Sequence, residues 1–384
     1  MTSVALAEQA PPTAHIQTIK VVVVDDSAVV RGLVSRWVDE DPNLEVCGRF
    51  SNGQLAVDGV ARSAPDVIIL DIEMPVMDGL TALPALLKNV PGVKVIMAST
   101  LTRKNAEISL KALSLGATDY IPKPESNSGI TTSSDFREEL IRKIKAVVPA
   151  KSAPSAAAPQ CSGEAGTDQP AGMPESSDKP KYTLRAFSTV KPRILTIGSS
   201  TGGPQALAKV IEDMAPSLAG VPVVITQHMP ATFTSILAER LGRVANLPAK
   251  EGDDGEILRP GHIYVARGGF HMSVVAKDGQ QALRVYDGPV VNYCKPAVDP
   301  LFESIAGIYG PAALALVLTG MGNDGAAGGK VIADAGGSVI AQDAETSVVW
   351  GMPGATAAAG ACAAVLSIDD IGRKAVSLLS GGVQ

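Results

Sequence analysis

The chain has 384 residues, room for two domains of ordinary size, with 46% hydrophobic and 19% charged residues. A net charge of −6 with no basic block argues against nucleic acid as a partner. No apolar run reaches the ~18–20 residues of a membrane span and no signal order opens the chain, so a cytoplasmic protein is expected.

Residues 1–17 read as a polar, Ala/Pro-containing tail. Over 18–148, strand-like runs alternate with helical patterns. The strand candidates are Lys20–Val24, Leu44–Cys47, Asp66–Leu70, Val93–Ala98 and Thr118–Ile121, and an amphipathic helix spans Ser134–Val147. Five βα units in about 130 residues predict α/β architecture: a doubly wound, five-stranded parallel sheet of flavodoxin-like type, with its βα loops on one edge. Residues 149–190, rich in Ala, Pro, Gly and Ser, lack periodicity and read as a flexible linker. From 191 to 384 the alternation resumes, with strands at Ile194–Ile197, Val221–Thr226, His262–Ala266, Ala312–Thr319 and Ser338–Ala341. His271–Ala276 and Ala282–Tyr286 form a hairpin through Lys277-Asp278-Gly279-Gln280. A second α/β domain is expected, mostly parallel with one antiparallel hairpin. Four scattered cysteines (Cys47, Cys161, Cys294, Cys362) include no C-x-x-C pair and indicate neither zinc nor a disulfide framework.

Asp25 and Asp26 end the first strand and Asp71 ends the third, so the sheet brings three carboxylates to its C-terminal edge. Such acids raise one another's pKa unless a cation intervenes, and an oxygen-only set suits Mg²⁺. Ser99 ends the fourth strand and Lys123 follows the fifth, placing a hydroxyl and an ammonium where they could neutralise phosphoryl oxygens. The pattern points to an aspartyl phosphate on Asp71. Helix N-capping by Asp25 and Asp26 is the plainer alternative. Val24-Asp25-Asp26-Ser27, Leu70-Asp71-Ile72-Glu73-Met74-Pro75, Asp78-Gly79 and Lys123-Pro124 resemble the receiver domain of two-component response regulators over about residues 19–148. That resemblance implies a histidine kinase as phosphoryl donor and Mg²⁺ held by Asp25, Asp26 and Asp71.

In the second domain, Gly198-Ser199-Ser200-Thr201-Gly202 follows a strand and precedes a helix opened by Gly203-Pro204. Strand, Gly-x-Ser-x-Gly turn and helix lift a serine hydroxyl clear of a sheet, and the helix start aims unpaired N–H groups at whatever that serine attacks. A serine nucleophile needs an imidazole and a carboxylate to hold it. Of four histidines, His228 closes a strand that would end beside Ser200 if it lies parallel to Ile194–Ile197. His262 and His271 open strands instead, and His15 lies in the tail. Asp324 follows a third strand. The chain order Ser, His, Asp departs from that of α/β-hydrolases, so a different sheet is expected. A helix-capping turn and a structural histidine are the plainer alternatives. Gly320-x-Gly322-x-x-Gly325, with Asp343 beyond, also fits a dinucleotide fingerprint, but the Asp324 carboxylate would repel a pyrophosphate and few residues follow.

The words around these residues, Ile197-Gly198-Ser199-Ser200-Thr201-Gly202-Gly203, Gln227-His228-Met229-Pro230, Leu318-Thr319-Gly320-Met321-Gly322-Asn323-Asp324-Gly325 and Gly351-Met352-Pro353, resemble the chemotaxis protein-glutamate methylesterase family. The likeness covers nearly all of residues 192–384, and the receiver in front matches that family's layout. It departs at Ser199, where the family is associated with alanine. The resemblance implies Ser200 as nucleophile, His228 as base, Asp324 as orienting acid and the Met321 N–H as oxyanion donor; elbow geometry suggests the Thr201 N–H as a second donor. It further implies demethylation of glutamate γ-methyl esters on chemoreceptors and deamidation of receptor glutamines; activation by phosphorylation is a separate expectation, and the ester chemistry itself needs no cofactor. A monomer that neither inserts in membranes nor binds nucleic acid is expected. The competing expectation is a response regulator whose second half binds nucleotide, DNA or protein without catalysis.

Overall fold

A computed structural model of the chain describes residues 18–100, 102–123, 130–148 and 182–381. The expected tail, residues 149–181 of the expected linker, and Pro124 lie outside the described residues.

The first domain runs β1 (Ile19–Val24), α1 (Ala28–Asp39), β2 (Leu44–Phe50), α2 (Gly53–Ser63), β3 (Val67–Asp71), α3 (Gly79–Asn89), β4 (Lys94–Thr100), α4 (Arg103–Ser114), β5 (Asp119–Lys123) and α5 (Ile130–Val147). β1 ends in four buried valines and β3 is buried throughout, as helices on both faces of a parallel sheet require. The strands lie in the order β2-β1-β3-β4-β5, all parallel. The order reverses between β1 and β3, so a crevice opens at their C-terminal ends. Ser27, Asn52, Asp78 and Thr102 cap the helices that follow them by accepting a first-turn N–H. Because Ser27 caps α1, Asp25 and Asp26 are left free of that duty.

The second domain runs β6 (Ile194–Ser199), α6 (Gly203–Met214), β7 (Val223–Gln227), α7 (Ala231–Ala245), β8 (Ala249–Glu251), β9 (Ile263–Val265), β10 (His271–Lys277), β11 (Gln280–Tyr286), α8 (Val298–Tyr309), β12 (Ala313–Val317), α9 (Ala326–Asp334), β13 (Ser338–Gln342), α10 (Met352–Ala358), β14 (Ala364–Leu366) and α11 (Ile368–Leu379). Seven parallel strands follow the order β14-β13-β12-β6-β7-β9-β8. β10 and β11 form the expected hairpin, turned through Asp278 and Gly279 at φ 49° and 78°. β8 and β14 were not expected from the sequence; three residues are too few to show a period.

The two domains pack on each other. Leu113 and Tyr120 share one buried apolar cluster with Phe233 and Ile236 of α7. Tyr120 stacks on Phe233 with ring centroids 4.3 Å apart. Around that stack, Arg240 Nη1 donates to the Leu110 carbonyl at 2.8 Å and Gln205 Nε2 to that of Ala117 at 2.9 Å. Asp119 accepts from Lys143 Nζ at 2.7 Å and from Thr201 Oγ1 at 3.0 Å, so a receiver carboxylate holds the residue next to Ser200.

Candidate active site and carboxylate cluster

β12, β6 and β7 are neighbours, so their C-terminal ends deliver three loops to one crevice. Ser199 pairs with Gln227, the His228 N–H donates to the Ser199 carbonyl, and the Ser200 N–H donates to that of Thr319. Gly202, at φ 76°, turns the chain into α6. A Cβ at Gly203 would sit 2.0 Å from Gln227 Oε1, so a side chain there would have to displace that amide.

The doubled serine separates into two roles. Ser199 is fully buried and its hydroxyl donates to Gln227 Oε1 at 2.6 Å. Gln227 Nε2 in turn donates to the Ser200 carbonyl at 2.8 Å, so one buried amide fixes the elbow. Ser200 is half-buried, and its hydroxyl has no hydrogen-bond partner among the described residues.

His228 Nε2 lies 2.8 Å from Asp324 Oδ2, and a carboxylate acceptor assigns the ring proton to Nε2. Asp324 is buried and also accepts from the Val298 N–H (2.6 Å), the Asp299 N–H (3.1 Å) and Asn292 Nδ2 (3.0 Å). The first two donors open α8, whose N-terminus favours negative charge. Burial acts to raise the Asp324 pKa, but the His228 contact and these donors prevail and hold it below its ordinary 3.8. Burial likewise pulls His228 down, and the contacts with Asp324 and then Cys294 outweigh it, carrying the ring from 6.5 to about 9. Cys294 Sγ lies 3.3 Å from His228 Nδ1. Behind the pair, Asp299 accepts from Asn292 Nδ2 and from the N–H groups of Gly325 and Gly328.

The N–H groups of Met321 and Thr201 find no acceptor among the described residues. The Gly325 N–H is bonded to Asp299 and Asp324, so carboxylates fill the turn where a dinucleotide reading needs free donors. Asp343 caps a turn through Thr346. His271 is buried against the Pro289 carbonyl, and the His262 carbonyl bonds Val223 at the opposite end of the sheet. Gln227, Asn292, Cys294 and Asp299 escaped sequence reasoning. For Asp299, an acid in the first turn of a helix was a weak signal; Gln227 stood in a family word with no role attached, and Asn292 and Cys294 carried none.

In the receiver, ligand oxygens of Asp25, Asp26 and Asp71 lie within 4.8 Å of one another, an acidic cluster consistent with a metal site. Lys123 Nζ bridges Asp25 and Asp71 at 2.7 Å each. Burial raises the Asp71 pKa to about 6, with Lys123 opposing and Asp25 adding. Ser99 is buried and its hydroxyl accepts from Ser109 at 3.1 Å.

Fold and sites together point to a class: a response regulator whose output domain is a hydrolase. Residues 195–375 match the family model described as CheB methylesterase, and residues 21–134 match that of the response regulator receiver domain. A protein-glutamate methylesterase/protein-glutamine glutaminase of Rhodopseudomonas palustris (strain HaA2) is 52% identical over 384 residues, covering 99% of each chain. One of Nitrobacter hamburgensis is 52% identical over 365 residues, covering 95% of each. The crystal structure of the Thermotoga maritima CheB methylesterase catalytic domain is 40% identical, covering 49% of this chain and all of that one, with a TM-score of 0.47. The chain belongs to the protein-glutamate methylesterase/protein-glutamine glutaminase family that carries a receiver domain. Membership sets aside the non-catalytic output domain. No helix among the described residues is long and apolar enough to cross a membrane.

Proposed function

We propose that the protein hydrolyses glutamate γ-methyl esters on chemoreceptors, and deamidates receptor glutamines, as the adaptation enzyme of a chemotaxis pathway. The observation that carries this reading is the His228–Asp324 pair, drawn from the ends of β7 and β12. Those strands flank the β6 end that carries Ser200, whose hydroxyl is unbonded among the described residues. Ser200 Oγ attacks the ester carbonyl and its proton passes to His228 Nδ1, the ring nitrogen not bonded to Asp324. The Met321 and Thr201 N–H groups stabilise the oxyanion. The carbonyl–oxygen bond breaks, His228 returns the proton, and methanol leaves. Water then clears the acyl-enzyme by the same transfers in reverse. With glutamine the leaving group is ammonia.

The receiver regulates this site. Asp71 accepts the phosphoryl group from a histidine kinase; Asp25, Asp26 and Asp71 would hold Mg²⁺, which would supply charge neutralisation for the phosphoryl oxygens. Lys123 and Ser99 then contact the phosphoryl oxygens. The receiver lies against Thr201, and Val348 and Val349 pack on its core, so the unphosphorylated domain restricts the crevice. We place the receiver at 18–148 and the catalytic domain at 191–384, joined by 149–190, in the cytoplasm where kinase and receptor segments meet.

Methanol release from methylated receptor by the full chain tests the reading. Ser200→Ala and His228→Ala should each lose about a thousandfold or more. Wild-type release by folded Ser200→Ala would overturn it.

A further inference from the structure

His228 has two ring nitrogens, and Asp324 occupies Nε2. Nδ1 alone remains to take a proton from Ser200. In this structure that nitrogen faces Cys294 Sγ at 3.3 Å, while the Ser200 hydroxyl is unbonded among the described residues.

The placement of Cys294 is built into the backbone. Val291 and Cys294 exchange N–H···O bonds of 3.1 and 2.8 Å across a tight turn. Both central residues, Asn292 and Tyr293, have left-handed φ, 51° and 62°, without being glycine. Such a turn is strained and persists only where its surroundings over-determine it. Here the Asn292 amide donates to both Asp299 and Asp324, tying the turn to the acid side of the site. Tyr293 is 91% exposed and contributes little packing. The anchored turn therefore delivers one buried-side group, the thiol of Cys294, onto the base.

We propose that Cys294 is a positioning residue that parks the base: its sulfur engages the one nitrogen of His228 open to Ser200, and the nucleophile is activated when that contact gives way. The inference rests on the assignment of Ser200 as nucleophile and His228 as base. The charged and titratable groups on that side are Asp324 on Nε2, Asp299 behind it through Asn292, Glu303, whose carboxyl burial and then those two acids push up, and Cys294 on Nδ1. Asp324 and Cys294 both favour the protonated ring, and a protonated ring cannot accept the serine proton.

The test is the labelling rate of the unphosphorylated full chain by a fluorophosphonate, followed from about pH 6 to about pH 10. Cys294→Ala should label about three- to tenfold faster near neutral pH, the range one ordinary hydrogen bond accounts for. Its rate–pH midpoint should fall by about half a unit or more. Cys294→Ser, whose hydroxyl does not ionise in this range, should move the midpoint the same way by less, and it decides the matter if the alanine variant does not fold. Midpoints unmoved in the folded variants overturn the proposal, whether the rate holds or drops; a drop alone is what lost packing gives. Ser200→Ala is the control: persistent labelling there would fault the nucleophile assignment, whereas lost labelling with unmoved cysteine variants would fault only the parking.

Discussion

Arg240→Ala perturbs the domain interface at a distance from Ser200. Its half-buried guanidinium reaches from α7 to the Leu110 carbonyl of α4 at 2.8 Å. Burial, and then the like charge of Arg243, lowers the Arg240 pKa, so part of the bond's worth is offset by the cost of keeping a cation there. A hydrogen bond to a charged group contributes about 1.5–3 kcal/mol, and after that offset about 1 kcal/mol remains. If the docked receiver restricts the crevice, the loss shifts the docked–undocked equilibrium about fivefold toward the undocked form. Initial methanol release from methylated receptor by the unphosphorylated full chain should rise about fivefold, with the phosphorylated rate unchanged. Arg103→Ala, which removes a largely exposed ion pair with Glu239, should change much less. An unphosphorylated rate that stays flat or falls in folded Arg240→Ala would refute inhibition through this interface.

Gly203→Ala should destabilise the protein by about 2 kcal/mol or more in urea denaturation, because its Cβ would meet Gln227 Oε1 at 2.0 Å. Gly307→Ala, on an α8 face with open space, should instead stabilise by about 0.5–1 kcal/mol. The folded-state pKa of His228 is raised from 6.5 to about 9, so its contribution to stability is full below 6.5 and is lost as pH rises through about 9. Thermal melts across that window should show wild type losing its advantage over His228→Gln; parallel curves would contradict the assigned contacts. Asp71→Asn should keep the basal esterase rate and abolish stimulation by a small-molecule phosphoryl donor, read as methanol release.

The strands at the centre of both sheets were legible because they are apolar, largely β-branched runs ending in chemistry, unlike the three-residue β8 and β14. Val-Val-Val-Val-Asp-Asp and Ile-Ile-Leu-Asp announce a buried parallel strand and what it presents at its end. The adjacency of β12, β6 and β7 could be expected from strand ends alone, and it brings Ser200 and His228 to neighbouring register positions. The support around His228 and Asp324 was not legible. Asn292 and Cys294 reach it from the segment joining β11 to α8 and Asp299 from the first turn of α8, and a left-handed Asn292-Tyr293 pair leaves no periodic mark. Elbow spacing singles out Ser200 in the sequence, but what occupies the Ser199 hydroxyl was not legible there. That depends on Gln227, 28 positions away, which captures the first hydroxyl and leaves the second free.

The most direct test of the account is to map the fluorophosphonate adduct on the full chain by peptide mass spectrometry. The adduct should sit on Ser200, survive in Ser199→Ala, and vanish in Ser200→Ala and strongly in His228→Ala. An adduct on Ser199, or one that persists unchanged when Ser200 is replaced, would contradict the central claim.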